Sequence, residues 1–427
     1  MAIIKRITSS LAAWVAATPL LAWLLGALAA VLLEHGVGRP LADLLGLPKV
    51  PVLFGMVLAL KSPGLILSAV AYGTIIYIVP IVLITRLGAG VLNQAAAGLL
   101  RLNLSASVVI HLCLLYAVLH LWSDISDYRV LTLKLTLIAV MLTLSLNVIN
   151  GYMGEFSCSH PGFMALGAYV TSVFTVAFFV KDKLFGPPLL PPELGPYFFP
   201  VALVLGGLAA ALGALLVAIP SFRTRGDYLA IISLAFMFIV KSAIENLEVV
   251  GGARGLRSQP DWANLPFVFL VTVLCVWVIN NFVNSTMGKA LNAVRDNEMA
   301  AEAMTVDTRR TKIVAFMFAG FWAGVAGGLF AHVLRYVNPA TFGIQRLAEV
   351  LAMVYFGGLN SVYGSIVGAV SINLLGEALR PLELFKWIII PLLLILVMIY
   401  RPTGLVSFKE FNVRRLVSPK TPPGGDR

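Results

Sequence analysis

The chain has 427 residues, of which 59% are hydrophobic and 12% charged, and its mean hydropathy is +0.92. In soluble domains, roughly a quarter of all residues are charged. This composition therefore excludes an ordinary soluble protein and predicts an all-α, polytopic membrane bundle. The formal net charge of +11 does not indicate a nucleic-acid partner, because the basic residues are scattered over short loops and tails.

The first apolar run, residues 11–33, follows Lys5 and Arg6 and resembles a signal peptide. A cleaved signal has an apolar core of only about 7 to 15 residues, so we predict a retained first span. Residues 51–60 are apolar but too short to cross a bilayer, and we predict an interfacial helix there.

A helix needs about 20 apolar residues to cross the roughly 30 Å hydrocarbon layer of a bilayer. By this measure the predicted spans before the last third of the chain are 11–33, 65–84, 107–122, 131–150, 163–180, 200–219, 228–243, 266–283 and 313–334. Residues 348–376 are broken into two short pieces by glycines, and residues 381–400 can form a last span. We therefore predict about ten spans and a re-entrant, glycine-broken hairpin.

The glycines of this hairpin have two possible roles. Irregular backbone at membrane depth is tolerated only beside protein or a water-filled cavity, so the hairpin is expected to border a conduction path. Alternatively, the glycines allow close packing of helices. The glycines concerned are Gly357, Gly358, Gly364 and Gly368.

Loop charges predict the orientation, because cytoplasmic loops carry an excess of Lys and Arg. Both termini, including the tail 406–427, are predicted to be cytoplasmic, and the proline-rich loop 186–195 external. Residues 288–312, called the polar segment below, carry five basic and four acidic residues and are also predicted to be cytoplasmic.

The polar segment is rich in small residues. We therefore predict that it forms a slim helix that could enter a groove of a cytosolic partner. Glu298, Ala301 and Glu302 share one face of such a helix. A solvated loop held on anionic lipid by its basic residues is the alternative.

Catalytic and metal-binding motifs are missing from the sequence. There is no glycine-rich phosphate loop and no hydrolase or zinc-protease motif, and three cysteines and five histidines lie far apart. We therefore expect no enzyme activity, cofactor or metal. A subunit powered by separate ATPases and an ion-coupled secondary transporter both fit this pattern.

Three motifs resemble the LivM-type permeases of branched-chain amino acid ABC importers. They are Gly288-Lys-Ala-Leu-Asn-Ala-Val-Arg-Asp-Asn-Glu-Met-Ala-Ala-Glu-Ala-Met-Thr305, Arg225-Gly-Asp-Tyr-Leu-Ala-Ile231 and Gly357-Gly-Leu-Asn-Ser361. The resemblance covers residues 131–405 as a core permease domain, and residues 1–130 match the extension of longer members, with about three spans.

The resemblance implies a bacterial inner-membrane importer with several partners. These are a second permease subunit that forms a heterodimer with this chain, two cytoplasmic ATPase subunits, an external solute-binding protein and membrane lipid. The polar segment is then the loop that docks on the ATPase, and its candidate contact residues are Arg295, Glu298, Ala301, Glu302 and Ala303.

The chain departs from the family at Ser157-Cys-Ser-His-Pro-Gly-Phe163, where a broken helix near the midplane is expected. An ionisable group at membrane depth usually has a functional role, which favours a role in the solute pathway for Glu155 and His160. Alternatively, these two side chains pair with each other. Thr305 replaces a glycine and so removes an expected helix stop, and Gly226 permits a turn before residue 228. The candidate pathway residues are Asn147, Asn150, Glu155 and His160.

Overall fold

A computed structural model of the chain describes residues 14, 17–47, 63–182, 184–222, 228–401, 403–408 and 411–420. It divides into two compact units. One contains Met1–Leu133, Glu377–Glu383 and Asn412–Arg427, and the other contains Lys134–Gly376 and Leu384–Phe411.

The described chain is almost entirely helical. Its α-helices are α1 (Leu20–Leu44), α2 (Ile66–Leu87), α3 (Ala89–Leu102), α4 (Leu104–Asp124), α5 (Asp127–Met153), α6 (His160–Phe179), α7 (Gly195–Ser221), α8 (Tyr228–Asn246), α9 (Leu265–Asn284), α10 (Thr286–Asp296), α11 (Glu298–Ala303), α12 (Thr308–Leu334), α13 (Ile344–Gly357), α14 (Val362–Ala378), α15 (Glu383–Tyr400) and α16 (Val413–Val417). Helix α2 contains a π-helical turn, and α5 ends in one at Val148–Met153.

Nine of the helices in the described residues are long and apolar enough to cross a membrane, namely α1, α2, α4 to α9 and α12. Helix α14 and the Ile388–Tyr400 part of α15 are shorter apolar helices. The prediction of a polytopic helical bundle is therefore confirmed. Two short strands, β1 (Leu256–Arg257) and β2 (Tyr336–Val337), pair antiparallel, with Leu256 opposite Val337.

The boundaries of the first span were predicted wrongly. Helix α1 covers Leu20–Leu44, not residues 11–33, and so continues through Glu34. The Arg129 guanidinium bonds both oxygens of the Glu34 carboxylate at 2.7 and 3.0 Å, and Tyr77 donates to it at 2.5 Å. Both charged side chains are almost wholly buried. Because the buried charge is paired and hydrogen-bonded, it need not end the helix.

Helix α3 (Ala89–Leu102) is an additional helix that the sequence did not predict. The proposed interfacial helix at 51–60 and the turn at Gly226 lie outside the described residues.

Glycines bring three helices of the second unit, α6, α7 and α12, into close contact. A Cβ atom on Gly167 would lie 2.1 Å from the Gly324 carbonyl oxygen, and one on Gly327 would lie 2.0 Å from that of Met164. Small residues at helix contacts are typical of membrane proteins. The Phe163 ring of α6 meets the Phe316 ring of α12 at 5.6 Å, so the first turns of α12 extend beyond the start of α6.

Candidate functional site

The polar segment folds as two short helices and the first turn of a third, not as the single helix that its composition predicts. Each start has a side-chain cap. Ser285 accepts from the Gly288 amide at 3.4 Å, Asn297 from the Ala300 amide at 3.1 Å, and Asp307 from the Arg310 amide at 2.9 Å. Such caps satisfy amides that a helix start leaves unpaired, and Asn297 therefore divides α10 from α11.

A helix stop follows α11 although the expected glycine is absent. Thr305 adopts the left-handed conformation, with φ of 66°. The Val306 amide donates to the Ala301 carbonyl at 3.0 Å and the Thr305 amide to that of Glu302 at 3.0 Å. This is the hydrogen-bond pattern of a glycine-terminated helix end, so the expectation that Thr305 removes the stop is wrong.

Lys312 joins the polar segment to the chain between α5 and α6. Its ammonium lies 2.7 Å from a Glu155 oxygen and 2.9 Å from a Glu298 oxygen, and only 9% of its side chain is exposed. One buried cation thus connects a residue predicted for the solute pathway with one predicted for docking. Glu155 pairs with Lys312 and not with His160.

Helix α11 and the residue that follows it present two methionines to solvent, and the two acids of α11 bond to neighbouring side chains. Met299 and Met304 are 75% and 77% exposed, whereas Ala301 is buried. A Glu302 oxygen accepts from the Thr308 hydroxyl at 2.9 Å. Ala303 is exposed. The outward surface of the helix therefore combines the two methionines with the exposed parts of Glu298 and Glu302.

Arg295 lies at the end of α10 and contacts the end of α5. It pairs with Asp296 at 2.9 Å and donates to the Gly151 carbonyl at 3.3 Å. Its guanidinium carbon is 5.6 Å from the centre of the Phe408 ring. Arg295 thus attaches the polar segment to two other parts of the second unit.

Asn147 holds the turn between α13 and α14. Its side-chain nitrogen donates to the Ser361 carbonyl at 3.0 Å and the Ser365 hydroxyl at 2.6 Å, and its side-chain oxygen accepts from the Asn360 amide at 3.2 Å. Asn147 is fully buried. It therefore fixes the predicted break in the hairpin by direct bonds.

The other two pathway candidates are also buried. Asn150 accepts from the Ser157 amide at 3.3 Å and contacts Tyr355. His160 touches the Phe163 ring at 5.8 Å and the Ser145 backbone, but neither ring nitrogen makes a hydrogen bond of good geometry.

The glycines of the hairpin lie where a side chain would meet backbone. A Cβ on Gly357 would lie 2.0 Å from the Gly364 carbonyl oxygen, and one on Gly368 would lie 2.0 Å from that of Met353. Gly358 has a φ of 132°, which favours glycine. The predicted break is confirmed, and close packing explains these glycines.

Residues 128–399 match the family described as branched-chain amino acid transport system, permease component. The chain belongs to this permease family. LivM of Escherichia coli K12, a high-affinity branched-chain amino acid transport permease, is 31% identical to this permease over 307 residues, which covers 64% of this chain and 68% of LivM.

Of two more distant relatives, one carries the same cargo name and one a different name. LivH of Methanocaldococcus jannaschii, a probable branched-chain amino acid permease, is 25% identical and covers 66% of this chain and 92% of LivH. XylH of Haemophilus influenzae, a xylose permease, is 25% identical over 42% of this chain and 48% of XylH. No solved structure matches the permease.

Sequence reasoning missed several residues of the permease. Lys312 was considered only as one of the basic residues of a cytoplasmic loop, because its two carboxylate partners are 157 and 14 residues away in the sequence. Met299 and Met304 belong to the recognised motif, but the sequence did not show that both side chains are exposed on and beside a short capped helix. Asn360 was noted only as part of the glycine motif.

Proposed function

We propose that this permease is the membrane subunit of an ATP-driven ABC importer for branched-chain or other small amino acids. An external binding protein delivers the solute, and two cytoplasmic ATPase subunits supply the energy. The cargo class follows from the names of LivM and LivH, to which this chain is similar.

The polar segment is the main support for this proposal. A chain that lacks a phosphate-binding loop needs a contact with its ATPases, and exposed methionines on a small capped helix suit a partner groove, because their side chains adapt to irregular surfaces. We propose that Met299, Ala303 and Met304 make this contact, while Glu298 and Glu302 position the helix through Lys312 and Thr308.

The same proposal assigns the surrounding chain. The polar segment and both termini lie in the cytoplasm of a bacterial inner membrane. A second permease subunit and lipid cover apolar side chains exposed on the spans, such as Leu212 of α7 and Trp277 of α9. At the ends of the helices that border the pathway, Asn147 and Asn150 act by holding backbone and Glu155 acts by pairing with Lys312.

The test is co-purification of a tagged copy from its native host, followed by ATP-driven uptake in proteoliposomes with the binding protein. Wild type should recover a second permease and ATPase subunits. The double variant Met299→Asp, Met304→Asp should lose the ATPase subunits and uptake but keep the second permease. Leu189→Asp, which changes an exposed apolar side chain in the proline-rich loop, is the matched control.

Two outcomes would reject the proposal. One is a double variant that retains its ATPase subunits and normal uptake. The other is a chain that purifies alone and moves solute under an ion gradient without ATP, which would make it a secondary transporter.

A further inference from the structure

A small cavity lies at the start of the polar segment and outside the proposed docking contact. Its volume is about 190 Å³, and its walls come from the ends of α5 and α9, from α10, from the α13–α14 turn and from the chain after α15. The lining residues that matter here are Asn284, Lys289, Asn292, Asn360, Phe408 and Phe411. We call this cavity the amide cleft.

The polar groups of the amide cleft are incompletely paired. Among the described residues, Lys289 makes no ion pair, although Lys312, Arg295 and other cations of the second unit do. The side-chain oxygens of Asn292 and Asn360 are buried and have no hydrogen-bond partner. Buried polar groups are normally satisfied, and an amide that rotates can present its oxygen to a bound donor.

The remaining wall of the cleft is aromatic. Phe408 is exposed, and its ring also contacts Arg295. The Phe411 ring lies 4.5 Å from the Tyr363 ring, which fixes its position. The cleft therefore combines a cation, carbonyl acceptors and an apolar surface.

These three features match an α-amino acid with an apolar side chain. Its carboxylate would meet Lys289, its ammonium the oxygens of Asn292 and Asn360, and its side chain the two phenylalanines. A lipid phosphate would satisfy Lys289 but has no donor for the carbonyl oxygens. The cleft is also smaller than the roughly 300 to 1,000 Å³ of pockets for drug-sized molecules, which suits so small a ligand.

We propose that the amide cleft binds the released amino acid on the cytoplasmic side and thereby slows further import. This inference rests on the proposed function for the cargo and the orientation. Lys289 and Asn292 belong to α10, and Asn360 to the turn that Asn147 holds. A ligand that contacts all three residues connects the polar segment to the hairpin. Such a ligand stabilises the conformation in which the polar segment and the hairpin are close, and it slows the transport cycle by favouring that conformation.

Binding to the purified complex without its binding protein gives the first test. Leucine should bind, whereas 4-methylpentanoate, which lacks the ammonium, and leucinamide, which lacks the carboxylate, should bind at least about tenfold more weakly. Lys289→Gln and Asn292→Leu should each weaken leucine binding by a similar factor. Arg101→Gln, which removes an exposed charge from the other unit, should not.

Uptake gives the second test. ATP-driven uptake into vesicles loaded with leucine should be slower than into unloaded vesicles, and Lys289→Gln should bring this ratio close to one. Wild-type uptake into unloaded vesicles reports on the proposed function alone. If that uptake is present but leucine does not bind the complex, binds no better than 4-methylpentanoate, or is unaffected by Lys289→Gln, the inference is wrong and the proposed function stands.

Discussion

The Asn147 side chain bonds the turn between α13 and α14 and the first residues of α14. Its two N–H groups donate to the Ser361 carbonyl and the Ser365 hydroxyl, and its oxygen accepts from the Asn360 amide. Asn147→Ala would leave the Asn360 amide without the acceptor that Asn147 provides, whereas the Ser361 carbonyl keeps its bonds from the Ser365 amide and hydroxyl. One unpaired group of this kind costs about 1 to 3 kcal/mol. We therefore expect a loss of about 1 to 3 kcal/mol in stability, measured as a lower melting temperature of the purified protein.

Asn246→Ala is the control for this prediction, because the Asn246 side chain is exposed and bonds only within its own helix, to the Ser242 carbonyl at 2.8 Å. Equal melting temperatures for Asn147→Ala and Asn246→Ala would show that Asn147 does not hold the turn.

Thr305 is a β-branched residue in the left-handed region, at the position after α11. That conformation costs a non-glycine residue roughly 1 to 2 kcal/mol, and glycine adopts it freely. Thr305→Gly should therefore raise the melting temperature slightly, by the equivalent of about 1 kcal/mol. Thr305→Pro should lower it, because proline fixes φ near −65°. A destabilised glycine variant would contradict this account.

Single residues also show where prediction from sequence reached its limit. The carboxylate of Glu155 was recognised as an ionisable group at membrane depth, with His160 as its possible partner. The partner is instead Lys312, which could not be found from the sequence because it is 157 positions away and only the packing of α12 beside α6 brings the two together. The hydrogen bond from the Asn360 amide to Asn147 depends in the same way on tertiary contacts.

At the scale of elements, Lys312 connects the start of α12 to α11 and to the segment before α6. Movement of the polar segment when ATPases act on it would therefore reach Glu155. Lys312→Met should keep the assembled complex but reduce transport per ATP hydrolysed, and lower stability by about 2 kcal/mol, since hydrogen bonds to charged groups are worth roughly that amount. The ratio of uptake to ATP hydrolysis in proteoliposomes measures the coupling.

Exchange of the charges tests whether the ion pair itself matters. Lys312→Glu alone places three carboxylates together and should be worse than Lys312→Met. The double variant Lys312→Glu, Glu155→Lys restores one opposite pair and should recover part of the coupling. A double variant no better than Lys312→Glu would assign the effect to packing instead of charge.

The existence of the long helices followed from the sequence because about 20 apolar residues satisfy the bilayer on their own. Boundaries failed where a specific contact overrode composition. Helix α1 continues through Glu34 because Arg129 neutralises it, and the polar segment breaks at Asn297 because that side chain caps α11. Neither contact leaves a signal in hydropathy.

For the whole molecule, the basic loops together determine the predicted orientation of the chain in the membrane, because successive loops lie on alternate sides of it. Arg309 and Leu189 lie on opposite sides of the membrane in this scheme, with three spans (α7, α8 and α9) between their loops. Both side chains are exposed in the described chain. Single cysteines at these two positions can therefore report which loop faces the periplasm.

We expect Leu189→Cys to react with a membrane-impermeant maleimide in intact spheroplasts, and Arg309→Cys to react only after the membrane is opened. The background variant should replace Cys113, because that thiol is exposed, whereas Cys158 and Cys275 are buried. The physical reason is the excess of Lys and Arg around the polar segment, which holds such loops on the cytoplasmic side. The reverse pattern would place the polar segment outside and remove it as the ATPase contact, even if the helices are otherwise correct.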